Sequence, residues 1–403
     1  MVKYSFIITL FLFLQSVAIG ENDQDFGTVP LVADDREVDD VFGESVSIDG
    51  DIAAVGSPGN GEFGAVYIYE LSEGNWIQSQ KLTVNNEVEL DGFGTTLAMS
   101  SGRLIVGAHK SDAQKGFVFV FEQSDEGWLQ TAKLTADDAQ ALDQFGRSIA
   151  LSGDRIIVGA PWTDDLASRS GSVYVFDLVN GEWSQTIKVQ ASDGSEDDFF
   201  GIDVSIDNDR FVVGAAESDD RTGSAYVFEL DQGAWIEQQK LTLNNGENFD
   251  AFGLSVSISG DKILVGVPGR DLEFNNAGAA YIYTLNDSTW VQGQEFFDVN
   301  GQVGEAFGAD VSVNADRLLI GSRGSEVLDV SNQLSWVYEL KSDLWVKIAG
   351  FTVDDDDNGI EDKFYGTQID MSADRIIVGS IGFDDFIGGA FIYHVDNIFK
   401  SGF

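Results

Sequence analysis

The chain of 403 residues has no cysteine, two histidines, four prolines and only 23 Lys plus Arg against 68 Asp plus Glu. Without cysteine there is no disulfide scaffold and no thiolate-ligated zinc or iron–sulfur centre. The two histidines, His109 and His394, stand far apart and form no nucleophile–base constellation; both read as structural. The shortage of bases leaves a net charge of −45, the wrong field for a nucleic-acid surface. Beyond the first twenty residues no apolar run approaches the length needed to cross a bilayer. What is present is a 43% hydrophobic composition with 29 Phe, which separates the chain from acidic disordered sequences. Forty-five glycines imply many tight turns and a β-rich body.

Lys3, the apolar run Phe6 to Leu14 and the small residues Ala18-Ile19-Gly20 before Glu21 have the layout of a secretory signal peptide over residues 1–20. The run is too short to span ~30 Å of hydrocarbon. The expected organisation is a leader (1–20), a lead-in (21–27), a repeat body (28–395) and a short tail (396–403), with export to an extracellular or periplasmic location as a secreted protein.

Self-similarity organises the body. An aromatic-Gly pair recurs at Phe42-Gly43, Phe93-Gly94, Phe145-Gly146, Phe200-Gly201, Phe252-Gly253, Phe307-Gly308 and Tyr365-Gly366. Thirteen residues after the glycine of each pair comes another, at Gly56, Gly107, Gly159, Gly214, Gly266, Gly321 and Gly379. A third element runs glycine, small, apolar, aromatic, apolar, aromatic, as in Gly171 to Phe176, and a fourth begins at Trp76, Trp128, Trp183, Trp235, Trp290 and Trp345. Each unit therefore holds four short strands. Runs such as Ile156-Ile157-Val158 are apolar at consecutive positions, which means burial on both faces. Seven such units predict an all-β, seven-bladed β-propeller of four-stranded antiparallel blades. The seventh unit lacks a fourth strand, while Leu31 to Asp35 matches the end of one, so the N-terminal strand is expected to complete the last blade and close the ring.

These motifs resemble the FG-GAP repeat family, the propeller repeat of integrin α subunits; Gly159-Ala160-Pro161 matches the second half of its name in full. The resemblance implies an integrin-like adhesion or recognition propeller with calcium in Asp-x-Asp-x-Asp-Gly loops between first and second strands. Those loops are absent: the connection is a tight turn such as Ser152-Gly153-Asp154, with too few oxygens for Ca²⁺. No cofactor is required on this reading.

The acids concentrate instead in the joins that lead from a fourth strand into the next aromatic-Gly pair, and in the loops between second and third strands. In an up-down blade both loop sets emerge on one face, which then carries about two thirds of the net charge. One join, Asp354 to Asp362, places Asp354, Asp356, Asn358 and Asp362 at calcium-loop spacing but has Tyr365 where a bidentate Glu belongs; these four are the candidate cation ligands. Ligand-face candidates are Trp162 with Asp164 and Asp165, together with Asp219, Asp220, Asp384 and Asp385. An acid two residues before the aromatic recurs at Asp40, Asp91, Asp143, Asp198, Asp250 and Glu305, and reads as a backbone hydrogen-bonding device. Lys81, Lys133, Lys188 and Lys240, near the ends of fourth strands, read as protection of an exposed sheet edge. The functional expectation is a monomeric, non-enzymatic module that recognises a protein or glycan through its acidic face, with a cation assisting. A carbohydrate-active propeller and a plain scaffold or surface component are the alternatives.

Overall fold

The computed structural model describes residues 29–84, 91–272, 275–323, 335–351, 365–381 and 388–395. The leader, the tail, Asp384, Asp385 and the Asp354 to Asp362 loop lie outside the described residues. The chain forms seven four-stranded antiparallel sheets, the blades of a β-propeller. Blade 3 shows the pattern: Ser148–Ser152, Arg155–Ala160, Ser172–Val179 and Glu182–Val189 follow one another as an antiparallel meander. The first strands line the axis, each contacting the first strand of the next blade, and Tyr365–Met371 of blade 7 contacts Ser45–Asp49 of blade 1. Val29–Leu31 pairs with Gly389–His394 as the outermost strand of blade 7, with Leu31 opposite Ala390.

The core lies between blades. The Phe of the first six aromatic-Gly pairs is fully buried; in blades 1 to 4 it meets two rings two residues apart on the third strand of its own blade, while Phe252 meets Tyr283 and Phe307 meets Trp336. Phe145, for example, contacts Tyr174 and Phe176 edge-on at centroid distances of 5.6 and 5.8 Å. Alternation along a strand puts both rings on one face, which is why the third-strand motif reads aromatic, apolar, aromatic. The intervening apolar residues face the neighbouring blade: Val173 and Val175 pack with Phe200, Phe211 and Tyr226 of blade 4.

The two recurring glycines serve that packing. Gly201 sits at φ +95°, and a Cβ on Gly159 would collide with the Gly201 carbonyl of the next blade. Only glycine permits both the backbone conformation and the approach.

Candidate functional site

The joins and the loops between second and third strands meet on one end of the ring. Gln144 N–H donates to Gln114 O, Asp197 N–H to Ser168 O, and Gly269 N–H to Asp250 O. In each pair a join touches a loop between second and third strands. The expected acidic face is therefore a contiguous surface.

The joins into blades 1, 3, 4, 5 and 6 are turns held by their acid, with left-handed backbone on either side of it. The residues three and one before the aromatic have positive φ, for instance Leu142 (76°) and Gln144 (57°), or Phe249 (74°) and Ala251 (57°). Left-handed backbone costs non-glycine residues about 1–2 kcal/mol each, so something must hold it. The acid between them accepts the backbone N–H three residues earlier: Asp40 from Glu37 at 2.7 Å, Asp143 from Gln140 at 2.7 Å, Asp198 from Ser195 at 2.6 Å, Asp250 from Glu247 at 2.7 Å and Glu305 from Gln302 at 2.8 Å. All five are buried, and the backbone role expected for them is what they perform. Burial raises the pKa of Asp143 and Asp198 and carries Glu305 to about 7.

The lysines do more than guard an edge. Lys188 Nζ reaches Asp138 Oδ2 at 2.7 Å, and Tyr174 donates to the other oxygen of that carboxylate at 2.9 Å. Lys81 and Tyr67 hold Asp35 in the same way, and Lys240 and Tyr226 hold Asp193. Each aspartate belongs to the join arriving from the preceding blade, so the cluster latches that join onto the blade it enters. Hydrogen bonds from Lys81 lower the pKa of Asp35; for Asp138 and Asp193, burial opposes the shift but the Lys and Tyr hydrogen bonds prevail. Lys133 differs because blade 2 has Phe119 in place of the tyrosine, and its ammonium lies 3.7 Å from the Phe117 ring centroid.

Several candidate ligand residues are engaged within the fold. Trp162 is half-buried and meets Phe199 edge-on at 5.1 Å, so it tucks against the following join. Asp164 accepts the Arg169 N–H at 2.8 Å, while Asp165 binds Lys188 at 2.5 Å and the Ser172 hydroxyl at 2.8 Å. Asp219 binds Lys240 at 2.9 Å. Asp220 is exposed and lines a shallow cavity of about 410 Å³ with Glu196, Asp197, Asp219, Arg221 and Lys240. Among the described residues no three carboxylates or imidazoles converge as a metal-binding group.

The axis carries a feature that sequence reasoning missed. First strands are inner edges, and their free backbone groups are met by side chains of the adjacent blade. Ser45 and Ser148 hydroxyls donate to Gly94 O and Gly201 O, and Ser47 and Ser257 hydroxyls accept from Met99 and Val313 N–H. The signal was visible as alternating Ser-x-Ser, for example Ser45-Val46-Ser47. In blades 4, 6 and 7 the acceptor is a carboxylate: Asp203 receives Val256 N–H at 2.7 Å, Asp310 receives Ile369 N–H at 2.8 Å, and Asp370 receives Ile48 N–H at 2.9 Å. Burial raises all three pKa values, Asp203 to about 6.

A family model described as FG-GAP repeat matches residues 28–69, 76–121, 128–176, 183–228 and 235–283. The chain belongs to the FG-GAP repeat family. Each matched FG-GAP unit after the first runs from the tryptophan of a fourth strand to the aromatic end of the next third strand, so the repeat straddles two blades. The FG-GAP model leaves the sixth and seventh units unmatched, yet both fold as blades. No curated protein matches the chain. FG-GAP propellers are generally non-catalytic, typical of extracellular proteins, and point to a binding or recognition module. No helix among the described residues is long and apolar enough to cross a membrane.

Proposed function

We propose that the protein is a secreted, non-enzymatic recognition module that binds a protein or glycan through the acidic end of the propeller, with a divalent cation assisting adhesion. The observation that carries this reading is the meeting of both acid-rich loop sets on one face, where Glu196 and Asp220 stay exposed beside apolar tips at Leu142 and Phe249. A single-sign face with exposed apolar residues steers and then seats a complementary surface. The cation would sit at Asp354, Asp356, Asn358 and Asp362.

Calorimetry with Ca²⁺ and Mg²⁺ tests the cation, and binding to glycan and basic-protein arrays tests the face. Saturable binding that is weakened by the double variant Glu196→Lys, Asp220→Lys is expected. Binding indifferent to that reversal, or none at all, overturns the reading.

A further inference from the structure

Blade 5 departs from its neighbours where join and loop meet. In blades 3 and 4 a fourth-strand lysine ties the two together: Lys188 binds Asp138 of the join and Asp165 of the loop, and Lys240 binds Asp193 and Asp219, at 2.5 to 2.9 Å. The matching residue of blade 5 is Glu295, opposite Tyr281 as Lys240 is opposite Tyr226, and the Tyr281 hydroxyl donates to it. Arg270 of the loop makes the tie instead, its Nη1 donating to Asp250 Oδ2 and to Asn245 O, each at 2.8 Å. No ammonium then enters the groove from the fourth strand. The groove is a cavity of about 330 Å³ between join residues 247–250 and loop residues 269, 271, 275 and 276. That volume falls within the range of small-ligand pockets, about 300–1,000 Å³. Among the described residues no base lines it, whereas Arg221 and Lys240 line the cavity of blade 4.

One wall of the cavity is an aromatic ring. The residues three before the aromatic of each aromatic-Gly pair are Asp39, Leu90, Leu142, Asp197, Phe249, Gly304 and Asp362, so blade 5 alone has a ring there. Phe249 is 61% exposed although its backbone sits at φ +74°. Burial does not account for an aromatic on left-handed backbone at that exposure, and such strain collects at ligand sites. The ring is held in place: Phe249 N–H donates to Arg221 O at 3.0 Å, and the Arg221 guanidinium lies 5.3 Å from the ring centroid. The opposite wall is fixed as well. Asn276 N–H donates to Asp271 Oδ1 at 2.7 Å, and Gly304 and Ala306 N–H of the next join donate to Asn275 and Asn276 O.

The polar groups on these walls select the ligand. A carboxylate only accepts and an ammonium only donates, but the exposed amides of Asn248, Asn275 and Asn276 do both. Glu247 and Asp271 repel an anion, and a cation has no use for the amide N–H groups. A sugar hydroxyl donates and accepts, and a pyranose turns an apolar face to a ring. We propose that this cavity binds a neutral pyranose of a glycan, its C–H face on Phe249 and its hydroxyls on Asn248, Asn275, Asn276 and Asp271. The proposal rests on the reading that the acidic end of the propeller recognises a glycan, and it assigns the first sugar to blade 5. Arg221, stacked on Phe249, also lines the adjoining cavity with Glu196 and Asp220, which is where the next sugar residue lies. The sugar contacts need no cation.

The test is a neutral-glycan array read in EDTA, followed by saturation-transfer NMR and calorimetry with the best-bound oligosaccharide and the methyl glycoside of its terminal sugar. Saturable binding of both is expected. Phe249→Ala removes an exposed ring and should weaken both about tenfold, whereas Phe249→Tyr should retain them. Asn275→Asp exchanges an amide donor for an acceptor at unchanged size and should also weaken both. The double variant Glu196→Lys, Asp220→Lys should weaken the oligosaccharide and leave the methyl glycoside as it is. The proposal is overturned, with glycan recognition by this face left standing, if Phe249→Ala and Asn275→Asp bind like wild type or if EDTA abolishes binding. Binding of basic proteins and no glycan overturns it in favour of a protein partner, and binding of neither overturns the recognition reading with it.

Discussion

Asp203 allows a quantitative test of how the blades are joined at the axis. Its carboxylate accepts Val256 N–H from blade 5 at 2.7 Å, yet burial raises its pKa from 3.8 to about 6. The folded state therefore binds the proton more tightly than the unfolded chain. Stability contributed by this group is greatest below the unfolded value near 4 and falls as pH rises through about 6. A shift of that size corresponds to about 3 kcal/mol of penalty on the charged form, reduced to roughly 1–3 kcal/mol where channel water screens it. Asp203→Asn keeps an oxygen for Val256 N–H and removes the charge. Urea unfolding should show the variant more stable than wild type by about 1–3 kcal/mol at pH 7.5, with the difference vanishing toward pH 4. Asp203→Ala, which leaves the Val256 N–H without its acceptor, should be worse than Asn at both pH values. An Asn variant no more stable than wild type at pH 7.5, or an advantage that persists at pH 4, would refute the reasoning.

Two further outcomes follow from the same architecture. Asp250 is 1% exposed and holds both Glu247 N–H and Arg270, so Asp250→Ala should cost about 3–5 kcal/mol in urea unfolding, whereas Asp250→Asn, which keeps the backbone bond, should cost less. Deleting residues 28–31 removes the outer strand of blade 7 and the buried Leu31 side chain, a loss of about 2 kcal/mol from that residue alone. The freed edge at Gly389–His394 should also drive self-association, seen by light scattering; a monomer with an unchanged unfolding midpoint would contradict this.

The repeat made much of the fold legible. The period, the glycine pairs and the run of four short strands define a blade, because a strand buried on both faces needs neighbours on both sides. The recurring acid before each Phe-Gly was legible for the same reason: a role repeated in many blades is structural. Asp40, Asp143 and Asp198 each close the same turn. The lysines were misread because the partner of Lys188 is Asp138, fifty residues earlier in the chain. Nothing local marks that pairing. Trp162 and Asp165 stood out only because they break the pattern, and the fold uses one for packing and the other for Lys188.

By itself the amino-acid sequence determined the unit, its number and the sign of its charge, since these depend on residue type and spacing within about fifty residues. Ring geometry decided the rest. Curling seven units around an axis brings Tyr365–Met371 of blade 7 against Ser45–Asp49 of blade 1, more than three hundred residues away in the chain. It also gives Ser45, Asp203 and Asp370 backbone partners in adjacent blades. Side chains that are unremarkable in their own repeat acquire partners or lose them when the ring closes.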